Sequence, residues 1–314
     1  MNDLSKPAQD LIMESWSRNT KKTYTPYLKE YARYITRKNI PLQVALSDVR
    51  VGIEFLTEVF NGRDVGYSVM NNARSALSTI METTNGITFG KDSLVKRLLK
   101  GMFRRKPSLP RYTVTYDAAI VLRHLSTIPL QNISLMSISQ KLATLLCLLT
   151  SQRDQSLHEL NIDYLYIDNI KMVFYIPAIL KTTTPTFHTK PLVLKRYPVK
   201  DLCVVETVIK YCEMTKDIRL DKQFFVATRP PHKGVTTETI SRWVKDTLDE
   251  AGIDTFTFSS HSTRSAATSC AKAQGLSLRE IRGAAGWTNS QTFAKFYDKE
   301  IVQNFGETVM SCLD

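Results

Sequence analysis

The sequence predicts a mainly α-helical protein with a small antiparallel β-sheet, divided into two domains. Apolar residues recur at helical spacing between capping residues and glycines over most of the 314 residues. Strand-like runs are confined to residues 163–194. The segment Arg104–Tyr112, RRKPSLPRY, is basic and punctuated by prolines, which is typical of a domain boundary. A chain of this length can bury a large core and is long enough for two domains.

Four helices are predicted in the first third of the chain. The first lies in SRNTKKTYTPYLKEYARYITRK, where six apolar or aromatic residues form one helical stripe: Tyr24, Tyr27, Leu28, Tyr31, Tyr34 and Ile35. Pro26 should start or kink this helix, because proline removes a main-chain donor. The other three are predicted over about 48–60, 68–81 and 93–103.

The remaining chain predicts a mixed domain. An apolar helix covers Ser137–Thr150, and strand-like runs follow at 163–167, 171–176 and 191–194. Two further helices are predicted over 201–214 and 237–251, the second with Arg242 and Lys245 exposed.

The net charge of +12 indicates a polyanionic partner, although a solvated basic surface is the plainer alternative. Residues 1–106 hold 18 Lys and Arg against 10 Asp and Glu, so most of the excess lies in the first third. The five cysteines form no C-x-x-C pair, which argues against a disulfide framework or a zinc site. The N-terminus lacks a signal-peptide core, and the longest apolar run is too short for a bilayer. We therefore expect a soluble protein of a reducing compartment, not held in a membrane.

The stretch Ser259–Asp298 has the densest signals for a functional site. Ser259 or Ser260 begins a helix that Gly275 ends, and His261 and Arg264, three apart, share its first turn. A helix start with these side chains suits an anion, most simply a phosphate. Ser277 with Glu280 forms a capping box for a second helix, which Gly286 closes before Trp287. Asn289 or Ser290 then caps a third helix that carries Phe293, Phe296 and Tyr297.

Each of these residues has an ordinary structural explanation by itself, but the combination H-S-T-R, then G-W, then F-Y is rare. It resembles the catalytic end of the tyrosine recombinase (phage integrase) family, in the variant of eukaryotic mobile elements such as DIRS-like and Ngaro-like retrotransposons and Cryptons. The resemblance implies a helical, SAM-like core-binding domain over 1–106 and an α+β tyrosine recombinase catalytic domain over 107–314. The start S-x-N-T-x-x-T-Y-x-x-Y-L looks like that of the family's core-binding domain.

The same resemblance extends to residues 150–163. Thr150, Arg153, Leu157 and Leu160 fit the family's T-G-x-R-x-x-E-L-x-x-L motif, with Ser151 in place of the usual Gly. Ser156 stands where an acidic residue is common, so either Ser156 or Glu159 would help to orient the site.

The resemblance also implies a catalytic lysine on the connection ILKTTTPTFHTK. Lys181 fits it better, and Lys190 is the alternative. The common explanation of either residue is a solvated loop lysine.

The resemblance implies a catalytic set of six residues: Arg153, Lys181, His261, Arg264, Trp287 and Tyr297. A tyrosine phenol ordinarily has a pKa of about 10 and needs help to attack at neutral pH. The arginines would bind the phosphate, and Lys181 would protonate the leaving 5′-oxygen. His261 would either accept the proton of Tyr297 or contact the phosphate. The expected product is a 3′-phosphotyrosyl intermediate, formed without metal, ATP or any other cofactor.

The expected partner is double-stranded DNA. Its candidate contacts are Lys21, Lys22, Arg104, Arg105, Lys106 and Arg242. The protein is expected to act as a homotetramer in the synaptic complex and to be a monomer or dimer when free, and to reside in the nucleus if eukaryotic or otherwise in the cytoplasm. Two alternatives remain: a type IB-like topoisomerase, and a mobile-element-derived DNA-binding protein with reduced or lost catalysis.

Overall fold

The computed structural model describes residues 4–108, 112–180, 183–186, 188, 190–287, 293–294 and 296–302. These residues fall into two compact units, which divide between residues 110 and 111. The fold is mostly helical, with one small antiparallel sheet in the second unit and a separate pair of very short parallel strands. No helix in the described ranges is long and apolar enough to cross a membrane.

The first unit is a helical bundle around an aromatic core. Its helices are α1 (Lys6–Glu14), α2 (Arg18–Arg37), α3 (Leu42–Ser47), α4 (Val49–Gly62), α5 (Tyr67–Asn85) and α6 (Ser93–Arg105). The stripe predicted on α2 points inward: Tyr31, Tyr34 and Ile35 are buried, and Phe55 of α4 packs edge-on against Tyr31. The Tyr31 hydroxyl donates to the Ala45 carbonyl of α3, which ties the short helix to this core.

The helices predicted in this unit are confirmed, with two corrections. Helix α2 does not begin at Pro26 but runs through it. Pro26 lies on the exposed face, where water can solvate the carbonyl that its missing N–H leaves free. Helix α1 was missed, and so was α3, whose six residues offer too few turns for a periodic pattern.

The second unit is larger and is centred on α8. Its helices are α7 (Ala118–Ser126), α8 (Leu135–Thr150), α9 (Asp154–His158), α10 (Val204–Thr215), α11 (Thr237–Glu250), α12 (Thr263–Ala273) and α13 (Leu278–Ala285). Helix α8 is buried on nearly all sides, and α10, α11 and α12 pack against it. Because α8 ends at Thr150, three residues before Arg153, this core limits where that arginine can lie.

Five short strands complete the unit: β1 (Val114–Thr115), β2 (Leu165–Ile167), β3 (Lys171–Phe174), β4 (Leu192–Lys195) and β5 (Glu300–Ile301). Strands β2, β3 and β4 form the predicted antiparallel sheet, with Met172 opposite Leu194. Strands β1 and β5 pair in parallel, Val114 with Glu300 and Thr115 with Ile301. Their pairing connects the chain directly after Tyr297 to the beginning of the unit.

Candidate active site

The start of α12 positions His261 and Arg264. Ser259 and Ser262 form a reciprocal capping box around a 3-10 turn, Ser260–Ser262, in which His261 lies. Arg264 is the second residue of α12, and Gly275 lies just beyond the helix with a positive φ of 87°. The predicted start and end of this helix are confirmed, with the single difference that its first turn is 3-10.

Arg264 is held inside the protein. It is 1% exposed, and its Nη1 and Nη2 donate to the carbonyls of Ser151 (2.5 Å) and Ala285 (2.6 Å). These two carbonyls are at the C-terminal ends of α8 and α13, where helices leave acceptors unsatisfied. Arg264 therefore joins the ends of three helices, and its charge stays in an almost dry environment.

Tyr297 lies against this arginine. The guanidinium carbon of Arg264 is 5.3 Å from the centroid of the Tyr297 ring and 4.7 Å from that of Trp287. The two rings stack on each other, with centroids 4.7 Å apart and an interplanar angle of 28°. The Tyr297 hydroxyl is 3.4 Å from Nε2 of His261. The structure thus brings together four of the six residues in the catalytic set that the resemblance implied: Tyr297, His261, Arg264 and Trp287.

These aromatic residues form a small cluster separate from the main core. Its buried members are Ile281, Ala285, Trp287, Phe293 and Tyr297. The predicted capping box of Ser277 and Glu280 begins α13, and Gly286, with φ 65°, ends it. Helix α13 therefore delivers Trp287 to the tyrosine. The cap predicted at Asn289 or Ser290 lies outside the described residues.

The main chain around Tyr297 is anchored to α12 of its own unit. The Ser269 hydroxyl donates to the carbonyl of Tyr297 and accepts from the N–H of Lys299. Lys272 pairs with Asp298 at 2.6 Å. The Lys299 ammonium lies 3.4 Å from the centroid of the Tyr112 ring, just before strand β5. Tyr297 therefore lies beside His261 and Arg264 of its own chain.

Arg153 lies where the chain turns from α8 into α9. Ser151 ends α8 in the left-handed conformation, with φ 49°, at the position where the resemblance placed a glycine. Arg153 is partly exposed and lines a cavity that Trp287 also lines. Among the described residues, none accepts a hydrogen bond from its guanidinium. Its guanidinium thus lies at the cavity without a described partner.

Asp154 was missed by the sequence analysis. Its Oδ2 accepts a hydrogen bond of 2.6 Å from the hydroxyl of Ser260, which in turn lies 2.5 Å from the hydroxyl of Ser241. This chain of contacts links the Arg153 turn to the His261 turn over 106 positions. The only sequence signal was an acid adjacent to the candidate arginine.

Ser156 and Glu159 were the two candidates to replace the acidic residue that is common in the family's motif, and they lie in different surroundings. Ser156 is buried and lines the same cavity as Arg153. Glu159 lies beside His158, with 3.2 Å between its Oε1 and the imidazole Nδ1. The acid that contacts the candidate site is therefore Asp154, through Ser260.

The electrostatics of the site favour a neutral histidine. Loss of solvent around the imidazole, followed by the charges of Arg153 and Arg264, lowers the pKa of His261 from its ordinary value. Burial, and then the charge of Arg153, lowers the pKa of Arg264 to about 10. At pH 7 the arginine remains charged, whereas the histidine is neutral and can accept a proton.

Of the two candidate lysines, Lys181 lies outside the described residues. Lys190 is exposed and lines the cavity that Arg153 and Trp287 share. It lies two residues before β4 begins. A lysine is therefore present beside Arg153.

The candidate DNA contacts in the first unit differ in how their charges are paired. Lys21 and Lys22 lie on α2 beside a surface groove, and neither has an ion-pair partner among the described residues. Lys106 pairs with Asp64 at 2.6 Å, while Arg104 and Arg105 end α6 exposed. In the second unit, Arg242 is exposed on α11.

Comparison with known proteins gives a family and a fold. Residues 123–301 match the model of the phage integrase family. A search of curated proteins found no match to the sequence.

Solved structures with a similar fold include three DNA-bound recombinases and integrases. A XerH site-specific recombinase bound to palindromic difH substrate has a TM-score of 0.61 and 15% identity over 93% of this chain and 80% of that one. The Tn1549 transposon integrase in complex with transposon right-end DNA has a TM-score of 0.61 and 14% identity over 98% and 96%. A lambda integrase tetramer bound to a Holliday junction has a TM-score of 0.53 and 14% identity over 94% and 77%. At these identities the likeness concerns the fold.

Proposed function

The chain belongs to the phage integrase family, whose model covers more than half of it, and on that premise we propose that it is a site-specific DNA recombinase. It cleaves and rejoins DNA strands through a 3′-phosphotyrosyl intermediate, without metal or ATP. One observation carries this proposal: the Tyr297 hydroxyl lies 3.4 Å from His261, and the Arg264 guanidinium lies against the same tyrosine ring. A nucleophile, a neutral base and a cation converge there.

In the proposed reaction, the oxygen of Tyr297 attacks the phosphorus of a DNA strand, and its proton passes to Nε2 of His261. The bond between phosphorus and the 5′-oxygen breaks, and a lysine protonates this oxygen. Lys181 remains the candidate for that step from the resemblance, and Lys190 gains support because it lines the cavity beside Arg153.

Arg153 would stabilise the negative charge on the phosphate oxygens. Its guanidinium has no hydrogen bond to a described residue that phosphate binding would have to break. The indole N–H of Trp287 is buried without an acceptor among the described residues, so it is available to a phosphate oxygen. The covalent bond to Tyr297 conserves the energy of the cleaved bond, and the reverse attack by a 5′-hydroxyl rejoins the strand.

A suicide duplex, nicked close to the scissile phosphate, tests this function. The short cleaved fragment diffuses away, so an active protein stays covalently attached to DNA. Because the target sequence is unknown, the duplexes are offered as a random pool and the captured ones are sequenced. We expect trapping by the wild-type protein and none by Tyr297→Phe, which keeps the ring and loses the nucleophilic oxygen.

Other outcomes distinguish the two alternatives. DNA binding without trapping would indicate a DNA-binding protein derived from a mobile element that has lost catalysis. Relaxation of supercoiled DNA by a monomer, without paired target sites, would indicate a type IB-like topoisomerase.

We also propose that the recombining species is a homotetramer. The supporting comparison is the lambda integrase, which was solved as a tetramer on a Holliday junction. Sedimentation of the protein with captured duplexes should show four protomers on two duplexes. A species that stays at one protomer per duplex under recombining conditions would contradict this.

A further inference from the structure

A cavity of about 580 Å³ in the second unit extends beyond the residues assigned above. No Asp or Glu is among the described residues of its lining, and four cationic side chains line it: Arg153, Lys190, Arg279 and Arg282. The lining also contains apolar side chains, among them Pro191 directly before strand β4 and Leu192 and Leu194 within it. An anion with an apolar neighbour fits such a cavity better than a cation or a purely apolar ligand.

One stripe of α13 forms much of the basic side. Arg279, Arg282, Gly283 and Gly286 all line the cavity, and their spacing of i, i+3, i+4 and i+7 places them on one helix face. At about 1.5 Å per residue, the stripe runs about 10 Å from Arg279 to Gly286. It therefore leads from an arginine at the far end to Trp287 and the candidate active site.

The glycine end of the stripe leaves room for a ligand. A Cβ added to Gly283 would meet, outside its own helix backbone, no atom of the described residues within 4 Å, so the described part of the chain leaves open space there. At the same end, Trp287 is 6% exposed, and its indole N–H has no acceptor among the described residues. A buried donor ordinarily has an acceptor, and a phosphate oxygen of a bound ligand could serve as one here.

We propose that this stripe binds the backbone phosphate next to the scissile one on the same DNA strand, with Arg279 and Arg282 as its contacts and the deoxyribose against β4. The proposal rests on the recombinase function proposed above. Phosphates of one strand follow each other at about 3.4 Å along the DNA axis, so a stripe of about 10 Å is long enough to reach beyond the phosphate at Arg153. The alternation of phosphate and sugar matches the pairing of a cationic lining with an apolar one.

Gly283 offers a test in which only charge changes. Gly283→Gln and Gly283→Glu place side chains of the same size in the open space, and both replace glycine by a better helix former, so the fold should persist. We expect Gly283→Glu to bind a short random-sequence duplex at least about ten-fold more weakly than Gly283→Gln, with the difference shrinking as salt screens the charges. Thermal unfolding of both variants checks that they are equally folded. Equal affinities of two folded variants would overturn the proposal.

The salt dependence of binding counts the phosphate contacts. The logarithm of the affinity falls as the logarithm of the salt concentration rises, and each phosphate contact makes this fall steeper by about 0.9. Arg279→Ala and Arg282→Ala should therefore each make the slope shallower by about 0.9. Arg123→Ala, which removes an exposed arginine from α7, is the matched control and should leave the slope unchanged. An unchanged slope in both α13 variants would contradict the proposal.

A duplex captured in the trapping experiment then locates the contact. A methylphosphonate, which is uncharged, is placed at the phosphate adjacent to the scissile one. It should weaken binding by the wild-type protein and have little further effect on Arg279→Ala, because the two changes remove the same interaction. Additive losses would show that Arg279 contacts another group. If no duplex is ever captured, the recombinase function fails, whereas the comparison at Gly283 still reports whether the cavity binds phosphate.

Discussion

The two arginines predicted to hold the phosphate lie in regions of opposite character. Around Arg264, the ends of α8, α12 and α13 meet, and the guanidinium is 1% exposed with both Nη atoms bound to main-chain carbonyls. Around Arg153, the chain turns between α8 and α9 beside an open cavity, and no described residue accepts from the guanidinium. Arg264 is therefore part of the framework that positions Tyr297, and Arg153 is the group that the fold leaves to a ligand.

The largest expected effect is that of Arg264→Ala. Two buried carbonyls would lose their donor, at about 1–3 kcal/mol each, so we expect the free energy of unfolding to fall by about 3 kcal/mol. For a unit of this size, the unfolding temperature should fall by about 6–12 °C. Calorimetry of the full chain measures the shift, and covalent trapping should be lost as well. A variant as stable as the wild type would remove the distinction between the two arginines.

Arg153→Ala should separate catalysis from stability. We expect the single-turnover trapping rate to fall about 10²–10³-fold, because a donor aimed at the developing charge is lost. The free energy of unfolding should change by less than about 0.5 kcal/mol, since no described residue depends on this guanidinium. Arg153→Lys is the control: it keeps the charge without the planar fork, and it should restore only part of the rate. A large loss of stability in Arg153→Ala would show that this arginine is structural too.

The imidazole of His261 reports on both arginines. Its pKa is lowered, so it should be neutral at pH 7 and become protonated only below pH 6.5, its ordinary value. Trapping should then slow as the pH falls through that lowered pKa, because a protonated imidazole cannot accept the proton of Tyr297. In Arg153→Ala the imidazole should titrate at higher pH, since one repelling charge is gone. Titration by NMR measures both values, and an unshifted histidine in that variant would place Arg153 too far away to act on it.

The smallest expected effect concerns the turn that joins the two regions. Ser151 has a φ of 49°, which costs a non-glycine residue about 1–2 kcal/mol, and its carbonyl accepts from Arg264. Ser151→Gly relieves this cost but makes the unfolded chain more flexible, so we expect a net gain of about 0.5–1 kcal/mol in the free energy of unfolding. Gly286→Ser is the matched control, because Gly286 has a φ of 65° and should lose stability on substitution. Denaturant unfolding measures the stability of both variants. A Ser151→Gly variant that is less stable than Gly286→Ser would contradict this expectation.

Local signals in the sequence predicted much of the helical framework. The capping box of Ser277 and Glu280 and the glycines at 275 and 286 gave the ends of the helices around the candidate site, since caps are properties of a few adjacent residues. The grouping of His261, Arg264, Trp287 and Tyr297 followed from the resemblance, and the structure brings these four together. The roles of these residues stay predictions.

The sequence did not predict the contacts that make Arg264 buried and hydrogen-bonded and leave Arg153 at a cavity. The link from Asp154 to Ser260 and the bonds from Arg264 to Ser151 and Ala285 join residues far apart in the chain, and no periodic pattern marks them. Strands of two residues, such as β1 and β5, are likewise too short to carry an alternation. Helix α7 was missed, although Asp117 caps it.

Strand β5 follows Tyr297 by three residues and pairs with β1, while Ser269 of α12 holds the main chain in between. In the proposed reaction, the 3′ end of a cleaved DNA strand would therefore be bonded to a tyrosine whose main chain is held in place by the rest of its unit. The freed 5′-hydroxyl end would be the only one able to travel. Strand exchange between two duplexes would then consist of each free 5′-hydroxyl end moving to the phosphotyrosyl bond of the other duplex, while the tyrosines stay in place.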